Sequence, residues 1–564
     1  MKIPKIFYAD LENVHHAAFW LAAFGILADV FGLWRDRLLA GNFGASRSLD
    51  IYYAAFRVPD FLYTVLLLLT ASTALIPVFI EKIAKDRRSA EDLLGSLLLF
   101  FGLVMFFLGL AAFFMMPYIS RMILPGFDIL DQEKVVNLSR ILLFSPLFLG
   151  LSNIFSGLTQ SARRFFAYGL SPVFYNVGII LGVTLFSKFW GLEGLAWGVA
   201  FGAFLHLFVQ IPVVFNMKVL PRMRNIWNPD MKRIFQQSFP RTLGLQITQM
   251  ASIIFTSIAS TLSSGSIAIF NLASNLQYIP ITIIGLSYSV AAFPMLASFS
   301  MEKSKANFES YFSVAFRHII FWAVPFSVLL LVLRAQIVRV ILGSGLFGWN
   351  DTRLTAASLL LLSLAVVFQS IFFLLIRAFY AAGEVWRPVA INVISYAFGI
   401  GAAFWFLPNL IQGSGAFSAV VSQILRLSDL PDIRVIALSL GILIASLVNF
   451  LLLVLAFRAV FGWFPLKGAR RAILEIFFSS FCGGAVAYFG LKILSGVFNL
   501  HTFLGVFLQG FFSGLAGLLI IAAVLWVLEN RELFEVYRSA RGLFLEKEKS
   551  REDMVPAPEP EKLL

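Results

Sequence analysis

Apolar stretches long enough to cross a membrane recur along almost the whole chain. A helix needs about 20 mostly apolar residues to span the hydrocarbon core of a bilayer. Hydrophobic residues make up 59% of the 564 residues and charged residues only 13%, which is too few to cover a water-soluble protein of this size. We therefore predict an all-α polytopic membrane protein with about 14 transmembrane helices. The predicted spans, numbered 1 to 14 in chain order, are 15–34, 51–80, 92–117, 137–159, 166–188, 192–215, 240–262, 266–297, 310–333, 354–380, 388–408, 434–457, 472–495 and 503–528.

The basic residues indicate how these spans are oriented. Lys and Arg are enriched in short loops on the cytoplasmic side of a membrane. Four lie from Lys82 to Arg88, after span 2, and five lie from Lys218 to Arg233, after span 6. The arginines after span 9, which begin at Arg334, run against this pattern. We predict that both termini are cytoplasmic and that the net charge of +13 reflects topology, with no nucleic-acid partner.

Two pairs of similar segments indicate that the chain contains two related halves. Ser72-Thr-Ala-Leu-Ile-Pro77 in span 2 is similar to Ser289-Val-Ala-Ala-Phe-Pro294 in span 8. In spans 5 and 11 a proline, Pro172 or Pro388, precedes an Asn-Val pair by four residues. This spacing predicts two pseudo-symmetric six-helix lobes followed by two C-terminal helices. Internal repeats of this kind place a transport pathway between the repeats and favour alternating access.

The same pattern predicts the division of the chain. The two lobes are separated by a short cytoplasmic linker, and the second lobe contains a longer outer loop at 409–433. The predicted units are an N-lobe at 1–217, a linker at 218–239, a C-lobe at 240–460, spans 13 and 14 at 461–528, and a charged cytoplasmic tail at 529–564.

Motifs for covalent or metal chemistry are absent from the sequence. The single cysteine, Cys482, lies in an apolar run, and the five histidines are scattered without metal-ligand spacing. The sequence contains no phosphate-binding loop and no hydrolase signature. We predict a transporter rather than an enzyme, with no cofactor and no metal.

Three arginines near or inside the spans are candidate ligands for an anionic head group. An ionisable side chain inside a membrane costs about 2.5–3.5 kcal/mol on insertion scales, so such residues usually face a cavity. Arg35, Arg57 and Arg241 suit phosphate, because a guanidinium donates two parallel hydrogen bonds. Each also has an ordinary explanation. Arg35 can anchor a helix end at the interface, Arg57 can pair with Asp60 three residues later, and Arg241 can be a topology charge.

Polar and helix-breaking residues complete the candidate site. Gln249 and Asn271 belong to a group of uncharged polar residues in spans 7 and 8, which can bind sugar or peptide groups or can join helices by hydrogen bonds. Proline and glycine interrupt the two longest spans and are candidate hinges for the movement of the lobes. These hinge candidates are Pro59, Pro77, Pro280, Gly285 and Pro294.

In its first 460 residues, the sequence resembles the MurJ (MviN) family of lipid II flippases, within the multidrug/oligosaccharidyl-lipid/polysaccharide exporter superfamily. The resemblance covers roughly residues 15–460, with similar spacing of the spans throughout. It is carried by motifs that occur in the order and at the spacing of the family. These are Gly32-Leu-Trp-Arg35-Asp36, Asp50-Ile-Tyr-Tyr-Ala-Ala-Phe-Arg57-Val-Pro59-Asp60, Ile76-Pro77, Ser171-Pro172, Asn176-Val177, Asn271-Leu-Ala273 and Arg377-Ala-Phe-Tyr-Ala381.

The resemblance implies export of the undecaprenyl-pyrophosphate-linked peptidoglycan precursor across the bacterial cytoplasmic membrane. It implies that Arg35 and Arg57 bind the pyrophosphate, with the acidic residue that opens span 2 retained as Asp50. Spans 13 and 14 would form a groove for the lipid tail. The partners implied are this polyprenyl-pyrophosphate-linked precursor, membrane lipids and cell-wall synthesis enzymes.

Three arginine positions of the family hold other residues in this chain. Asp29, Tyr63 and Asn275 stand in their places. The loss of positive charge from a cavity of low dielectric constant weakens its attraction for a pyrophosphate. Two alternatives therefore stay open: an exporter of another polyprenyl-linked saccharide or of a cation, and a non-transporting scaffold that recruits cell-wall enzymes through the tail at 529–564.

Overall fold

The computed structural model describes residues 14–70, 72–222, 228–411 and 415–538. Within these ranges the chain is helical and contains no strand. The helices of the first half are α1 (Val14–Phe43), α2 (Arg47–Ala55), α3 (Arg57–Thr70), α4 (Ser72–Lys85), α5 (Arg87–Ile123), α6 (Ile129–Leu142), α7 (Phe144–Ser161), α8 (Phe165–Leu181), α9 (Ser187–Phe208) and α10 (Ile211–Asn216). Those of the second half are α11 (Pro229–Ser260), α12 (Ser266–Pro280), α13 (Ser287–Met301), α14 (Lys305–Val332), α15 (Arg334–Ile341), α16 (Trp349–Ala381), α17 (Trp386–Asn409), α18 (Ala416–Leu425), α19 (Ile436–Phe461), α20 (Leu466–Leu494) and α21 (Phe503–Val527).

The described helices confirm the predicted polytopic fold. Eleven helical stretches in the described ranges are long and apolar enough to cross a membrane. One of them, Phe165–Asn216, contains both span 5 and span 6. The eleven stretches thus contain spans 3 to 14, while span 1 falls on α1 and span 2 on the series from α2 to α4. Two short helices that the sequence did not predict, α15 and α18, lie between longer ones.

The long stretch Phe165–Asn216 is two antiparallel helices. The chain reverses at Gly191, near the start of α9, whose positive φ of 55° is a conformation that favours glycine. Glycines then let α8 and α9 approach closely: a Cβ atom on Gly178 would collide with the backbone of Gly202. Small residues of this kind are typical of tight helix contacts in membranes.

Span 2 is broken close to its start. α2 ends at Ala55 and α3 begins at Arg57, with Pro59 in the first turn of α3. The carbonyl of Ala55 accepts a hydrogen bond of 2.9 Å from the hydroxyl of Ser139, so the end of α2 is satisfied by a neighbouring helix. Pro77 lies inside α4, in the second half of the same span.

Span 8 changes its helical winding halfway. α12 ends at Pro280 and is followed by a π-helical segment, Ile281–Leu286, before α13 begins. Gly285 lies in this segment and packs directly against the backbone of Ser370 in α16. A π-helical turn weakens the regular hydrogen-bond ladder and is frequent at functional sites. Pro294 lies further on, inside α13.

The helices pack as two bundles with an additional hairpin. In the first half α8 packs against both α1 and α9, and α7 packs against α3, α4 and α9. In the second half α19 packs against α16 and α17, and α14 packs against α13 and α16. α20 and α21 pack against each other, and α20 also rests on α14. We call the side of the molecule where α1 begins proximal and the side where it ends distal.

The two bundles meet closely on the distal side. The N–H of Leu346 donates a hydrogen bond of 2.8 Å to the carbonyl of Gly41, and Gly265 lies directly against the carbonyl of Ala45. The guanidinium of Arg37 donates to the carbonyl of Val340 in α15. We refer to the contact of residues 41–45 with residues 344–346 and 265 as the distal seal.

Candidate functional site at the lobe interface

Arg57 links the first bundle to the second. Its guanidinium donates one hydrogen bond to the Ser252 hydroxyl of α11 at 2.7 Å and one to the Asn271 side-chain oxygen of α12 at 2.6 Å. Arg57 is buried, with 9% of its surface exposed. Within the described residues its guanidinium and the Asp60 carboxylate are not within ion-pair distance. The local pair that the sequence allowed is therefore replaced by contacts between the bundles.

Arg35 lies on α1 and is held by two partners. Its guanidinium donates to one carboxylate oxygen of Asp36, at 2.9 and 2.8 Å, and to the side-chain oxygen of Asn176 in α8, at 3.0 Å. The Arg35 side chain is 23% exposed, whereas Asp36 is buried. The other carboxylate oxygen of Asp36 accepts a hydrogen bond of 3.0 Å from the Asn275 amide of α12.

The two arginines therefore converge on one face of α12. Asn271 and Asn275 are four residues apart, so they are neighbours on the helix surface and about 6 Å apart along its axis. Asn271 binds Arg57, and Asn275 binds the carboxylate that holds Arg35. We call this group the polar belt, and its members are Arg35, Asp36, Arg57, Ser252, Asn271 and Asn275.

Asp50 has a different position from the other predicted site residues. Its carboxylate accepts hydrogen bonds from the backbone N–H groups of Gly265, at 2.7 Å, and Ala268, at 2.9 Å. These groups belong to the N-terminus of α12, where unpaired donors and the helix dipole favour a negative charge. Asp50 is 1% exposed, so its side chain anchors α12 to α2 and does not line an open cavity.

Two further predicted residues lie on α11. Gln249 is half-buried, three residues before Ser252, and so lies near the polar belt on the same helix. The side chain of Arg241 lies outside the described part of the structure. Gln246, three residues before Gln249, has a buried side-chain amide that forms no hydrogen bond with any described residue.

Asp29 lies on the face of α1 that points to the second bundle. It precedes Asp36 by seven residues, a spacing that returns a helix to nearly the same face. Asp36 contacts Asn275 of α12, whereas Asp29, about 10 Å nearer to the proximal side, is exposed. Ile26 and Val30 beside it are also exposed. On this face the first bundle contacts the second at the level of Asp36, and α1 is uncovered at Ile26, Asp29 and Val30.

Sequence reasoning missed several of these partners. Asp36 and Asn176 stood within motifs but gave no sign that they hold Arg35. Ser252 carried no signal at all, because one serine in an apolar helix is ordinary. Asn153 of α7 donates a hydrogen bond of 3.0 Å to the hydroxyl of Tyr63, which occupies one of the missing arginine positions.

Comparison with known proteins identifies the family. A family model described as "Lipid II flippase MurJ" matches residues 39–508. The chain belongs to the MurJ family. It is 28% identical over 498 residues to a probable lipid II flippase MurJ of Buchnera aphidicola subsp. Acyrthosiphon pisum, covering 85% of this chain and 96% of the relative. It is 25% identical over 511 residues to a probable MurJ of Bdellovibrio bacteriovorus, covering 86% and 96%.

Solved structures share the fold. A structure described as lipid II flippase MurJ in an inward closed conformation aligns with a TM-score of 0.70 and 23% identity, covering 90% of this chain and 99% of that one. An inward-facing multidrug resistance transporter of the MATE family aligns with a TM-score of 0.58 and 16% identity, covering 78% and 98%. As a MurJ family member, the chain is a multi-pass protein of the bacterial inner membrane and a transporter rather than an enzyme.

Proposed function

We propose that this chain moves lipid II, the undecaprenyl-pyrophosphate-linked peptidoglycan precursor, from the inner to the outer leaflet by alternating access. The observation that carries the proposal is the convergence of Arg35 and Arg57 on the Asn271–Asn275 face of α12. Two cations meet there at the boundary between the bundles. A head group bound at such a boundary contacts both lobes and changes its exposure when they rock.

The head group would bind by replacing the protein oxygens that now accept hydrogen bonds from Arg35 and Arg57. Arg57 now donates to the neutral oxygens of Ser252 and Asn271, and Arg35 donates partly to the neutral oxygen of Asn176. A pyrophosphate oxygen carries negative charge, so each arginine would exchange a bond between an ion and a neutral group for a contact between opposite charges, and a guanidinium can donate two parallel hydrogen bonds to such oxygens. Arg35 is the more exposed arginine and would meet the pyrophosphate first.

Because other residues occupy three of the family's arginine positions, Arg35 and Arg57 supply most of the positive charge that would bind the pyrophosphate. Asn275 holds Asp36 without adding a positive charge, and Asp29 adds a negative charge to the uncovered face of α1. The site is therefore less positive than the family pattern implies. We expect that loss of either arginine lowers pyrophosphate affinity strongly, because few other cations remain to compensate.

The orientation of the chain and its hinges complete the proposal. With both termini in the cytoplasm, the proximal side faces the cytoplasm and the distal seal closes the boundary between the lobes to the outside. Opening of the seal requires bending, for which the π-helical segment Ile281–Leu286 and the break at Pro59 are suited. The lobes at 1–217 and 240–460 would rock about these points.

The hairpin of α20 and α21 would hold the lipid tail. These helices expose large apolar side chains, including Phe481 on α20 and Leu519 on α21. They rest on the second bundle through α14, so a tail bound to them would stay in lipid while the head group crosses. Binding of cell-wall synthesis enzymes stays a prediction.

Complementation tests the proposal directly. A bacterium depleted of its own lipid II flippase would express the wild type, Arg35→Ala, Arg57→Ala or Arg121→Ala, and outer-leaflet lipid II would be measured. Arg121 is exposed at the distal end of α5 and serves as the matched control. We expect export by the wild type and by Arg121→Ala, and at least a tenfold loss in the other two.

Two results would contradict it. Absence of export by the wild type, despite correct membrane insertion, would point to another lipid-linked substrate. Full export by both polar-belt variants would remove the head-group site from the polar belt and leave only the family assignment.

A further inference from the structure

A cavity of about 190 Å³ lies inside the first bundle, between α3, α7 and α8. Its wall carries one carboxylate and three hydroxyl groups among apolar side chains. The polar residues are Asp60, Tyr63, Ser145 and Tyr175. These groups face a space within one lobe, whereas the polar belt lies between the lobes.

In the described part of the chain no side chain contacts the carboxylate in this cavity directly, although the charge of Arg57 is near enough to act on it. Within the described residues, Asp60 forms no side-chain hydrogen bond and no ion pair. Its neighbour Arg57, three residues earlier, directs its guanidinium to Ser252 and Asn271 in the second bundle. A carboxylate at membrane depth is costly, and such groups are normally paired or bound to a cation.

The position of Asp60 in the helix accounts for only part of this arrangement. It lies in the first turn of α3, where the helix dipole favours a negative charge by about 0.3–1 kcal/mol. Within the described residues its side chain accepts no capping hydrogen bond, and its own N–H donates to the carbonyl of Phe56 at 2.8 Å. The carboxylate is instead among the groups that line the cavity, together with the hydroxyls of α7 and α8.

The charge and size of the cavity specify its ligand. Hydroxyl and carboxylate oxygens are the donors that hard metal cations prefer. Asp60 is the one acidic residue in the lining, and Arg57 lies on the same helix, so the site suits one positive charge better than two. The volume equals roughly six waters of about 30 Å³ each, enough for an alkali-metal ion with part of its hydration shell.

We infer that this cavity binds an alkali-metal cation, with Asp60 as the charged ligand and the hydroxyls of Tyr63, Ser145 and Tyr175 as neutral ligands. The site is separate from the polar belt but shares α3 with it. It does not depend on the identity of the lipid-linked substrate.

Thermal unfolding of the purified full chain in detergent tests the inference. NaCl and KCl would be titrated against choline chloride at constant ionic strength. A ligand that binds only the folded state stabilises it, so we expect a saturable rise in Tm on the order of 2–5 °C with Na⁺, K⁺ or both. Asp60→Asn keeps the shape of the side chain and should abolish the rise.

Two further variants keep the result interpretable. Asp29→Asn removes an exposed carboxylate from α1 and should leave the rise unchanged. Ser145→Ala removes a neutral ligand and should raise the cation concentration at half effect severalfold. If Asp60→Asn is too unstable to purify, binding of radioactive ²²Na⁺ to the Ser145→Ala and wild-type proteins gives the same comparison.

The inference is overturned if neither alkali-metal ion has a saturable effect beyond that of choline. It is also overturned if the effect persists in Asp60→Asn, or if it disappears in Asp29→Asn instead.

Discussion

The Asn275 amide of α12 donates a hydrogen bond of 3.0 Å to the Asp36 carboxylate of α1, joining residues 239 positions apart. The other oxygen of this carboxylate accepts from Arg35. Asp36 is thus a shared acceptor through which an arginine of one bundle is tied to a helix of the other. Because the contact lies on the distal half of the molecule, it supports the closed distal seal.

Asn275→Asp should weaken this closure. It would place a second carboxylate about 3 Å from Asp36, and like charges at that distance are strongly unfavourable unless one takes up a proton. We expect the distal side to open in a fraction of molecules at least tenfold larger than in the wild type. Spin labels at Met122 and Trp349, both exposed, would report the distance between the bundles after Cys482→Ala.

Asn409→Asp is the matched control for this experiment. Asn409 ends α17, outside the distal seal, and its amide donates to the carbonyl of Trp405 in the same helix. The distance distribution should stay at the wild-type value. Equal distributions for both variants would show that the Asn275–Asp36 contact does not hold the seal.

Asp50→Ala should destabilise the folded protein and lower export together. The substitution leaves the N–H groups of Gly265 and Ala268 without their acceptor, and loss of a capping residue costs about 0.5–2 kcal/mol. α12 also carries Asn271 and Asn275, so its displacement would disturb the polar belt. Tm and export would be measured on the same preparations. Asp50→Asn keeps one acceptor oxygen, so its Tm should lie between those of the wild type and Asp50→Ala.

The control for this cap is Asp128→Ala. Asp128 caps α6 by accepting from the N–H of Asp131 at 2.7 Å, but it is exposed and lies within one bundle. It should lower Tm by a similar or smaller amount and leave export intact. A normal Tm with reduced substrate affinity in Asp50→Ala would instead favour direct contact between Asp50 and the substrate.

Gly202→Ala should lower Tm by pushing α8 and α9 apart. The added Cβ atom would collide with the backbone carbonyl of Tyr175, and overpacking of this kind costs about 1–3 kcal/mol. The gain in helix propensity, about 1 kcal/mol, offsets only part of that cost. Gly102→Ala on α5 meets no atom within 4 Å and should leave Tm unchanged or raise it. Equal Tm values would contradict the close packing of the two helices.

Glu532→Gln should lower the free energy of unfolding. Glu532 lies after α21, the last spanning helix. Glu532 is 1% exposed and accepts a hydrogen bond of 2.7 Å from Arg317 of α14, whose side chain is 12% exposed. Removal of one charge from a buried pair typically costs about 3–5 kcal/mol. Glu309→Gln breaks an exposed pair with Lys305 on the same helix and should cost less than about 1 kcal/mol.

Truncation separates this contact from the rest of the tail. A chain that ends at Arg538 keeps the Arg317–Glu532 pair, whereas a chain that ends at Leu528 loses it. We expect near-normal export from the longer chain and a lower Tm with reduced export from the shorter one. Loss of export in the longer chain, at unchanged Tm, would favour the role of the tail in recruiting other proteins.

The membrane-spanning architecture was predictable because one physical constraint dominates it. Backbone polar groups inside lipid must be satisfied within a helix, so apolar runs of sufficient length define the spans. The turn at Gly191 falls in the predicted gap between spans 5 and 6. The short helices α15 and α18 were not predicted because each is much shorter than a membrane-spanning helix.

The partners of the charged residues were not predictable for a different reason. Arg57 has an acidic neighbour at helical spacing, yet its contacts come from α11 and α12, about 200 residues away in sequence. Asp50 likewise caps a helix that begins at Ser266. Such contacts depend on how the two bundles meet, and a local pattern contains no information about that geometry.

The distal seal is made where main chains touch. Gly41, Gly44, Gly265 and Gly345 bring the backbones together, and one contact is a hydrogen bond between two peptide groups. A small molecule that binds in the distal seal from outside would recognise backbone atoms, which every amino acid shares. Resistance by side-chain substitution would then be hard to acquire, because the residues that the molecule contacts are glycines. Their replacement would itself prevent the distal seal from closing.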